Sequence, residues 1–280
     1  MRTVLVVANE TLGGRALLEA VRKRASEEDV RFVLCVPQNR PRAGLVIYAD
    51  AVFDAAQARV DLALQFLHAE DIKAIGEVGD PDPFTATIDA LHEYNPDEII
   101  ISTYPETRSG WLRHDLIERV REASGLEVEH VVADPDAEGL PFHVTLAVAN
   151  RTASGDELLE ALIEKARGGE GIDKEHLFLV VVPQEGGHGH AARRARTRLK
   201  LVLERLRDAG LSAAGMIGDP DPYTAVMNAV QYFRVDDIVI STFPETKSGW
   251  LRTDLIERVR GATRKPVTHV VHHEKAPAGR

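Results

Sequence analysis

The chain has 280 residues, 44% of them hydrophobic and 28% charged, with a formal net charge of −10. That balance excludes a protein that grips nucleic acid through its phosphates, which needs a basic face. The longest apolar runs fall well short of the ~20 residues of a membrane span, so no membrane partner is expected. The single cysteine, Cys35, excludes an intrachain disulfide, and its place in the run Phe32–Val36 makes it an inert core thiol. Unstapled domains fit a reducing compartment, and the expected location is cytoplasmic.

In chain order, the apolar start of the chain reads as a first strand, not as a signal peptide, because no cleavage site follows it. Strands are predicted near Thr3–Ala8, Arg31–Val36, Ile72–Glu77, Glu98–Ser102 and Val128–Val132, and helices near Gly14–Ala25, Ala51–Ala69, Pro83–Tyr94 and Trp111–Ala123. Runs such as Val4–Ala8 and Glu98–Ser102 are apolar on both faces, as strands of a covered parallel sheet are. In the stretch Gly79–Phe84, Asp82 is placed to cap a helix whose first residue is Pro83, where a missing N–H costs nothing. Ser109 is the candidate cap of the fourth helix, whose core face is read as Leu112, Leu116, Ile117 and Val120.

The second half repeats the first. Ser102–Arg121 and Ser241–Arg260 differ at three of twenty positions: Tyr104 becomes Phe243, Arg108 becomes Lys247 and His114 becomes Thr253. The blocks around Asn9 and Asn150, Pro37 and Pro183, and Gly79 and Gly218 also recur in order, with spacings of 141, 146 and 139 residues. A period this long is a duplicated domain, not a solenoid repeat. Helices are expected near Gly155–Arg167, Ala191–Ala209, Pro222–Phe233 and Trp250–Ala262. The fold class is therefore α/β: two tandem doubly wound, Rossmann-like domains, each a five-stranded parallel sheet with helices on both faces. Domain 1 is placed at residues 1–134 and domain 2 at 142–272. A linker at 135–141, within the turn-rich Ala133–Pro141, joins them, and a flexible tail at 273–280 follows.

In such sheets ligands sit at the carboxyl ends of the strands, and free helix N–H groups there favour anions. The five-strand alternation, the Gly-Asp-Pro-Asp-Pro turn, the Ile99–Thr103 strand and the ending that runs from Asp115 to Val132 resemble the universal stress protein family. The resemblance is to a tandem of two such domains and covers nearly the whole chain. It implies the adenine nucleotide alpha hydrolase-like form of the fold, a stress-related role and family-style pairing. The pairing would join the two domains within the chain, through the strands carrying His130 and His269, and could form a homodimer. In ATP-binding members a glycine-rich loop after the fourth strand wraps the phosphates, an Asp after the first strand contacts the nucleotide, and backbone at the end of the second strand meets adenine. Here Ser102 stands at the first glycine, Pro105 or a neighbour replaces the second, and Asp115 and Asp254 lie near the closing Gly-Ser. Asn9 and Asn150 stand at the Asp. Pro105 removes a donor and Glu106 adds a carboxylate where a phosphate would lie.

Side chains are left to replace the backbone cradle. The candidate ligand-binding residues are Asn9, Val36, Gly79, Ser102, Thr103, Arg108, Ser109, Gly110 and Arg113, with Asn150, Val182, Gly218, Ser241, Thr242, Lys247, Ser248, Gly249 and Arg252 in the second half. The candidate ligand is a small anion, ATP or another nucleotide. In a competing reading the stretch is a rigid structural loop, with Pro105 stiffening it, Gly110 permitting an awkward turn and Trp111 packing under the helix. No catalytic or metal-binding residue is assigned. His188, His190, His272 and His273 read as surface histidines, His130 and His269 as satisfied interface histidines, and Arg193–Arg198 as the solvated face of a helix. The expected function is a non-enzymatic binding or signalling module. The alternatives are a weak ATP hydrolase and a structural interaction protein with vestigial pockets.

Overall fold

The protein is described from a computed structural model over residues 1–38, 49–111, 115–168, 174–185, 190–244, 249–250 and 254–273. Its chain divides into two units, Met1–Pro141 and Phe142–Arg280.

In the first unit the elements run β1 Arg2–Val7, α1 Arg15–Glu27, β2 Val30–Pro37, α2 Ala49–Ala69, β3 Ala74–Gly79, α3 Pro83–Tyr94, β4 Glu98–Thr103, α4 Leu116–Ser124, β5 Val128–Val132 and the single turn α5 Pro135–Glu138. The second unit contains β6 His143–Val148, α6 Asp156–Arg167, β7 His176–Pro183, α7 Ala191–Asp208, β8 Ser212–Gly218, α8 Pro222–Tyr232, β9 Asp237–Thr242, α9 Leu255–Thr263 and β10 Val267–Val271. Each unit forms one parallel five-stranded sheet, ordered β3-β2-β1-β4-β5 in the first and β10-β9-β6-β7-β8 in the second. The doubly wound α/β class follows directly.

Sequence alternation explains the layers. Leu5, Val7, Val33, Cys35, Ile99 and Ile101 point to one face and pack against Ala86 and Ala90 of α3 and Leu116 and Val120 of α4. In the second sheet Ala147, Phe178, Val180, Val182 and Val239 pack against Leu158 and Leu162 of α6 and Ala195, Val202 and Leu206 of α7. Cys35 is fully buried, and burial pushes its thiol up to about 12, so it stays protonated at neutral pH. Gly79 lets α3 approach the sheet: a Cβ there would lie 2.6 Å from Ala86 Cβ and 2.9 Å from Cys35 Sγ. Gly218 faces Ala225 and Val181 in the same way.

The helix starts at Pro83 and Pro222 are capped as the sequence predicts. Asp82 accepts from the Thr85 N–H at 3.0 Å and its hydroxyl at 2.9 Å, and Asp221 does the same for Thr224 at 2.9 and 2.8 Å. Asp80 and Asp219 serve the turn before them, accepting from the backbone N–H of Asp82 and Asp221 at 2.7 and 2.8 Å. Replacing Asp82 by Ala is expected to cost about 1 kcal/mol, read as a shift in the urea midpoint; an unchanged midpoint would show that the cap contributes nothing.

Four expectations are corrected. The fourth helix starts at Leu116, not Trp111, and α9 starts at Leu255, not Trp250. Asp115 (φ 49°) and Asp254 (φ 48°) take left-handed backbone just before them, which breaks any continuous helix from the tryptophans. Ser109 is accordingly not a helix cap. It is buried, and its N–H and that of Arg108 close a single turn on the Pro105 carbonyl at 3.0 and 2.8 Å. Strand β3 begins at Ala74 because Asp71 (φ 58°) turns the chain at the end of α2. Gly110 has no left-handed backbone and open space where a Cβ would stand, so no awkward turn requires it. Of the core face expected for α4, Leu116 and Val120 are buried and Ile117 packs beside them, while Leu112 lies outside the described residues. The stretch Ala133–Pro141 holds α5, with Pro135 at its first position and Asp134 accepting from the N–H groups of Asp136 and Ala137.

Of the basic run, Arg193, Arg194 and Arg196 are exposed on α7 while Ala195 faces the core. No helix among the described residues is long and apolar enough to cross a membrane.

Candidate functional site

Strand order reverses beside β1 and beside β6, the central strands. There the chain leaving β1 turns one way and the chain leaving β4 the other, which opens a cleft at the carboxyl ends. In the first unit a cleft of about 200 Å³ is lined by Asn9, Glu10 and Thr11 after β1, by Ser102, Thr103 and Tyr104 from β4, and by Arg108 to Trp111. In the second unit Asn150, Arg151, Thr152, Ser241, Thr242, Phe243, Gly249 and Trp250 line one of about 210 Å³. Both are smaller than the roughly 300–1,000 Å³ of typical ligand sites, so they suit a small ligand or the end group of a larger one.

The floor is built alike in both units. Thr11 Oγ1 donates to the Ser102 carbonyl at 3.1 Å, and Thr152 Oγ1 to the Ser241 carbonyl at 3.0 Å. Ser102 and Ser241 are each 1% exposed, and neither Oγ has a hydrogen-bond partner among the described residues. A buried hydroxyl left unmatched costs about 1–3 kcal/mol, and two of them at matching positions beside two clefts mark where a polar ligand atom would be satisfied. Thr103 Oγ1 gives its one proton to the Tyr104 carbonyl at 2.8 Å, so His130 Nε2 must be the donor in its 2.9 Å contact with that oxygen. His269, Thr242 and the Phe243 carbonyl repeat the chain at 2.8 and 2.8 Å. Burial, then Arg121 or Arg260, pushes the pKa of each histidine down, so both are neutral at physiological pH.

Asn9 is 6% exposed and acts as a strut. Its Nδ2 donates to the Pro37 carbonyl at 2.6 Å and its Oδ1 accepts from Arg59 Nη1 at 2.5 Å. Asn150 Oδ1 accepts from Arg198 Nη1 at 2.6 Å. The two arginines are a site feature that sequence reasoning passed over, yet 59 to 198 is the same 139-residue step as Gly79 to Gly218. One of the four arginines of the supposedly solvated basic run is thus recruited inward, since Arg198 also holds Glu185 at 3.0 Å.

Arg108 lies over the Tyr104 ring, 4.6 Å from its centroid. Its guanidinium is held by Asp134 at 2.9 Å and by Asp136, so α5 already neutralises the cation that was expected to meet an anion. The Tyr104 hydroxyl is pushed up to about 12 by burial, with Glu10 and Asp136 adding to it. In the second unit Arg151 stands where Glu10 does, 5.4 Å from the Phe243 ring centroid. Glu10, Thr11, Tyr104 and Trp111, with Arg151, Thr152, Phe243 and Trp250, line the clefts without having been singled out as site residues. The steady 141-residue offset from Asn9 to Asn150 carries the signal for Thr11 and Thr152.

Asn9, Ser102, Thr103, Arg108, Ser109 and Gly110 come together in the first cleft, and Asn150, Ser241, Thr242 and Gly249 in the second. Val36, Gly79, Val182 and Gly218 lie in the sheet ladders, paired as Val36 with Val78, Pro37 with Gly79, Val182 with Ile217 and Pro183 with Gly218. Gln38 and Gln184 donate backbone N–H groups to the Gly79 and Gly218 carbonyls at 3.3 and 3.1 Å. Arg113, Lys247, Ser248 and Arg252 lie outside the described residues, as do His188 and residues 274–280. His272 packs edge-on against Phe243 and shares a 2.6 Å contact with Glu157. His273 donates its backbone N–H to the same carboxylate at 3.0 Å. These bonds pull Glu157 down to about 2. Among the described residues no cluster of side chains could hold a metal.

No protein-family model and no curated protein sequence matches the chain. Solved structures do. A universal stress protein from Archaeoglobus fulgidus is 16% identical and covers 96% of this chain and 97% of its own, with a TM-score of 0.34. A universal stress protein family protein from Arabidopsis thaliana with AMP bound is 13% identical over 49% of this chain and 95% of its own, with a TM-score of 0.35. A universal stress protein in complex with cAMP is 18% identical over 48% of this chain and 98% of its own, with a TM-score of 0.33. Such structures match the chain along 96% of its length, and its fold class rests on its own two parallel five-stranded sheets.

Proposed function

We propose that this protein is a non-enzymatic binding module of the universal-stress type, which holds a small polar ligand, with adenine nucleotides as the first class to test, at the carboxyl ends of its strands. One observation carries the reading: the buried, unpartnered hydroxyls of Ser102 and Ser241 beside matching clefts. Aromatic walls at Tyr104 and Trp111, and at Phe243 and Trp250, suit a flat ring, with polar groups beneath to fix its orientation. Among the described residues the hydroxyl–histidine pairs at the clefts, Thr103 with His130 and Thr242 with His269, have the histidine donating, so neither aims a base at its hydroxyl. Asp115 and Asp254, the carboxylates nearest in sequence to the family's closing Gly-Ser, serve as left-handed residues that start α4 and α9.

The test is calorimetric titration of the full chain with AMP and with Mg-ATP at low salt. Binding at micromolar concentration, weakened about tenfold by Ser241→Ala, is expected. Folded protein that gives no heat with either nucleotide would overturn the reading in favour of a structural role. Steady phosphate release from ATP that disappears on substitution of Asp115 and Asp254 would overturn it in favour of a hydrolase.

A further inference from the structure

The two clefts share a floor but not a charge. At the residue that follows the strut asparagine the repeat reverses sign: Glu10 in the first unit, Arg151 in the second, both exposed on the cleft rim. A second difference acts in the same direction. The cation of the first cleft, Arg108, is already engaged by two carboxylates, Asp134 and Asp136, and Glu10 adds a third negative charge to the cleft lining. In the second unit His273 stands at the position of Asp134, counting the same 139 residues, and among the described residues no carboxylate pairs with Arg151. Glu157, which reaches that rim through His272, is already matched by the His272 ring and the His273 N–H. A third difference is that Tyr104, with its hydroxyl, is replaced by Phe243.

We infer that the clefts have divided in ligand class: the second takes a small molecule bearing an anionic phosphate or carboxylate, with Arg151 as the charge that selects it, and the first excludes such ligands. This rests on the binding function proposed above and adds to it which cleft is used and why. The guanidinium sits beside the Phe243 ring, and the Thr152 and Thr242 side chains and the unpartnered Ser241 Oγ line the same cleft. Thr152 and Thr242 give their protons to the Ser241 and Phe243 carbonyls. An anion there therefore meets a planar cation and, among the described residues, the one uncommitted hydroxyl donor, Ser241 Oγ, a combination worth more than either alone because charge-assisted hydrogen bonds are the stronger kind. At the first cleft the same anion would approach Glu10 and a guanidinium whose donors already point at aspartates. Like-charge approach and competition for the guanidinium both oppose binding.

The experiment is titration of the full chain with AMP, inorganic phosphate and uncharged adenosine, for the wild-type protein and for Arg151→Glu, Arg151→Gln and Arg151→Lys. One AMP per chain is expected, weakened about 10- to 100-fold by Arg151→Glu, less by Arg151→Gln, and restored to within a few-fold by Arg151→Lys. Adenosine affinity should be the same in all four proteins. Inorganic phosphate that binds alone and is lost with Arg151→Glu identifies the phosphate group as what is recognised. Because Arg151 is exposed, the variants should melt with the wild type, which separates lost binding from lost folding. Two equivalent AMP sites per chain, or one site indifferent to Arg151→Glu, overturns the division of the clefts while leaving the binding function intact. Absence of heat with both AMP and adenosine overturns the binding function itself.

Discussion

Replacing Asn9 by Leu is expected to lower the stability of the first unit by about 3 kcal/mol. Two buried hydrogen bonds converge on this one amide, the donor to the Pro37 carbonyl and the acceptor from Arg59. Neither partner can reverse its role, because a carbonyl only accepts and a guanidinium only donates, so the amide orientation is set. Leucine removes both contacts and leaves polar groups of Pro37 and Arg59 in a dry site, at about 1–3 kcal/mol for each group, more when it is charged. Asp is the informative second substitution. A carboxylate keeps Arg59 but turns an acceptor toward the Pro37 carbonyl, so an intermediate loss is expected, and this geometry explains why an amide suits the position. The measurement is urea unfolding of the Trp250→Phe chain, in which Trp111 alone reports on the first unit. A Leu variant within about 0.5 kcal/mol of its parent, the range of ordinary surface changes, would refute the strut.

Acid is expected to weaken the second unit more than the first, because the second holds a depressed histidine, His176, beyond the matched pair His130 and His269. His176, at the start of β7, is stacked on Phe178 at 4.5 Å and meets His143 edge-on at 4.6 Å. Its Nε2 is 2.7 Å from Thr145 Oγ1. Around it stand His143, Asp236, Asp237 and Lys165, with Lys165 Nζ 2.9 Å from Asp237. Burial, then the neighbouring His143, pushes His176 from its ordinary 6.5 down to about 4. The folded protein therefore holds this ring neutral where the unfolded chain would protonate it. The unfolded state binds more protons between about pH 6.5 and 4, so stability is full above that window and falls as pH drops through it. The slope is at most about 1.4 kcal/mol per pH unit, and partial exposure reduces the whole loss to roughly 1–2 kcal/mol. Val30 occupies the matching register position in the first sheet, opposite Arg2, so that unit lacks the group. In the Trp111→Phe chain, where Trp250 reports on the second unit, the urea midpoint should fall between pH 6.5 and 4.5, and His176→Phe should flatten the fall. Equal pH dependence with and without His176 would rule the ring out.

Residue pattern alone reached the duplication, the parallel class of the sheets, the capped starts at Pro83 and Pro222, and the buried thiol. Each depends on interactions within a few residues, or on apolar content that a parallel strand shows on both faces. Where an expectation slipped, a long-range or left-handed feature was the cause. Asp115 and Asp254 adopt backbone that their residue type permits but does not announce, and so the helices start five residues after the tryptophans. Only the tertiary structure decided what the repeated stretch faces. Arg108 reads as a free cation until α5, 26 residues later, lays Asp134 and Asp136 against it. Asn9 reads as a ligand contact until Arg59, 50 residues away, takes its oxygen. Glu10 and Arg151, unremarkable in their own segments, acquire meaning once strand order places them on the rims of matching clefts. Periodicity and turn chemistry are local and survive in one dimension. Charge pairing across a cleft exists only once the chain has folded, because it is set by distances that the sequence does not contain.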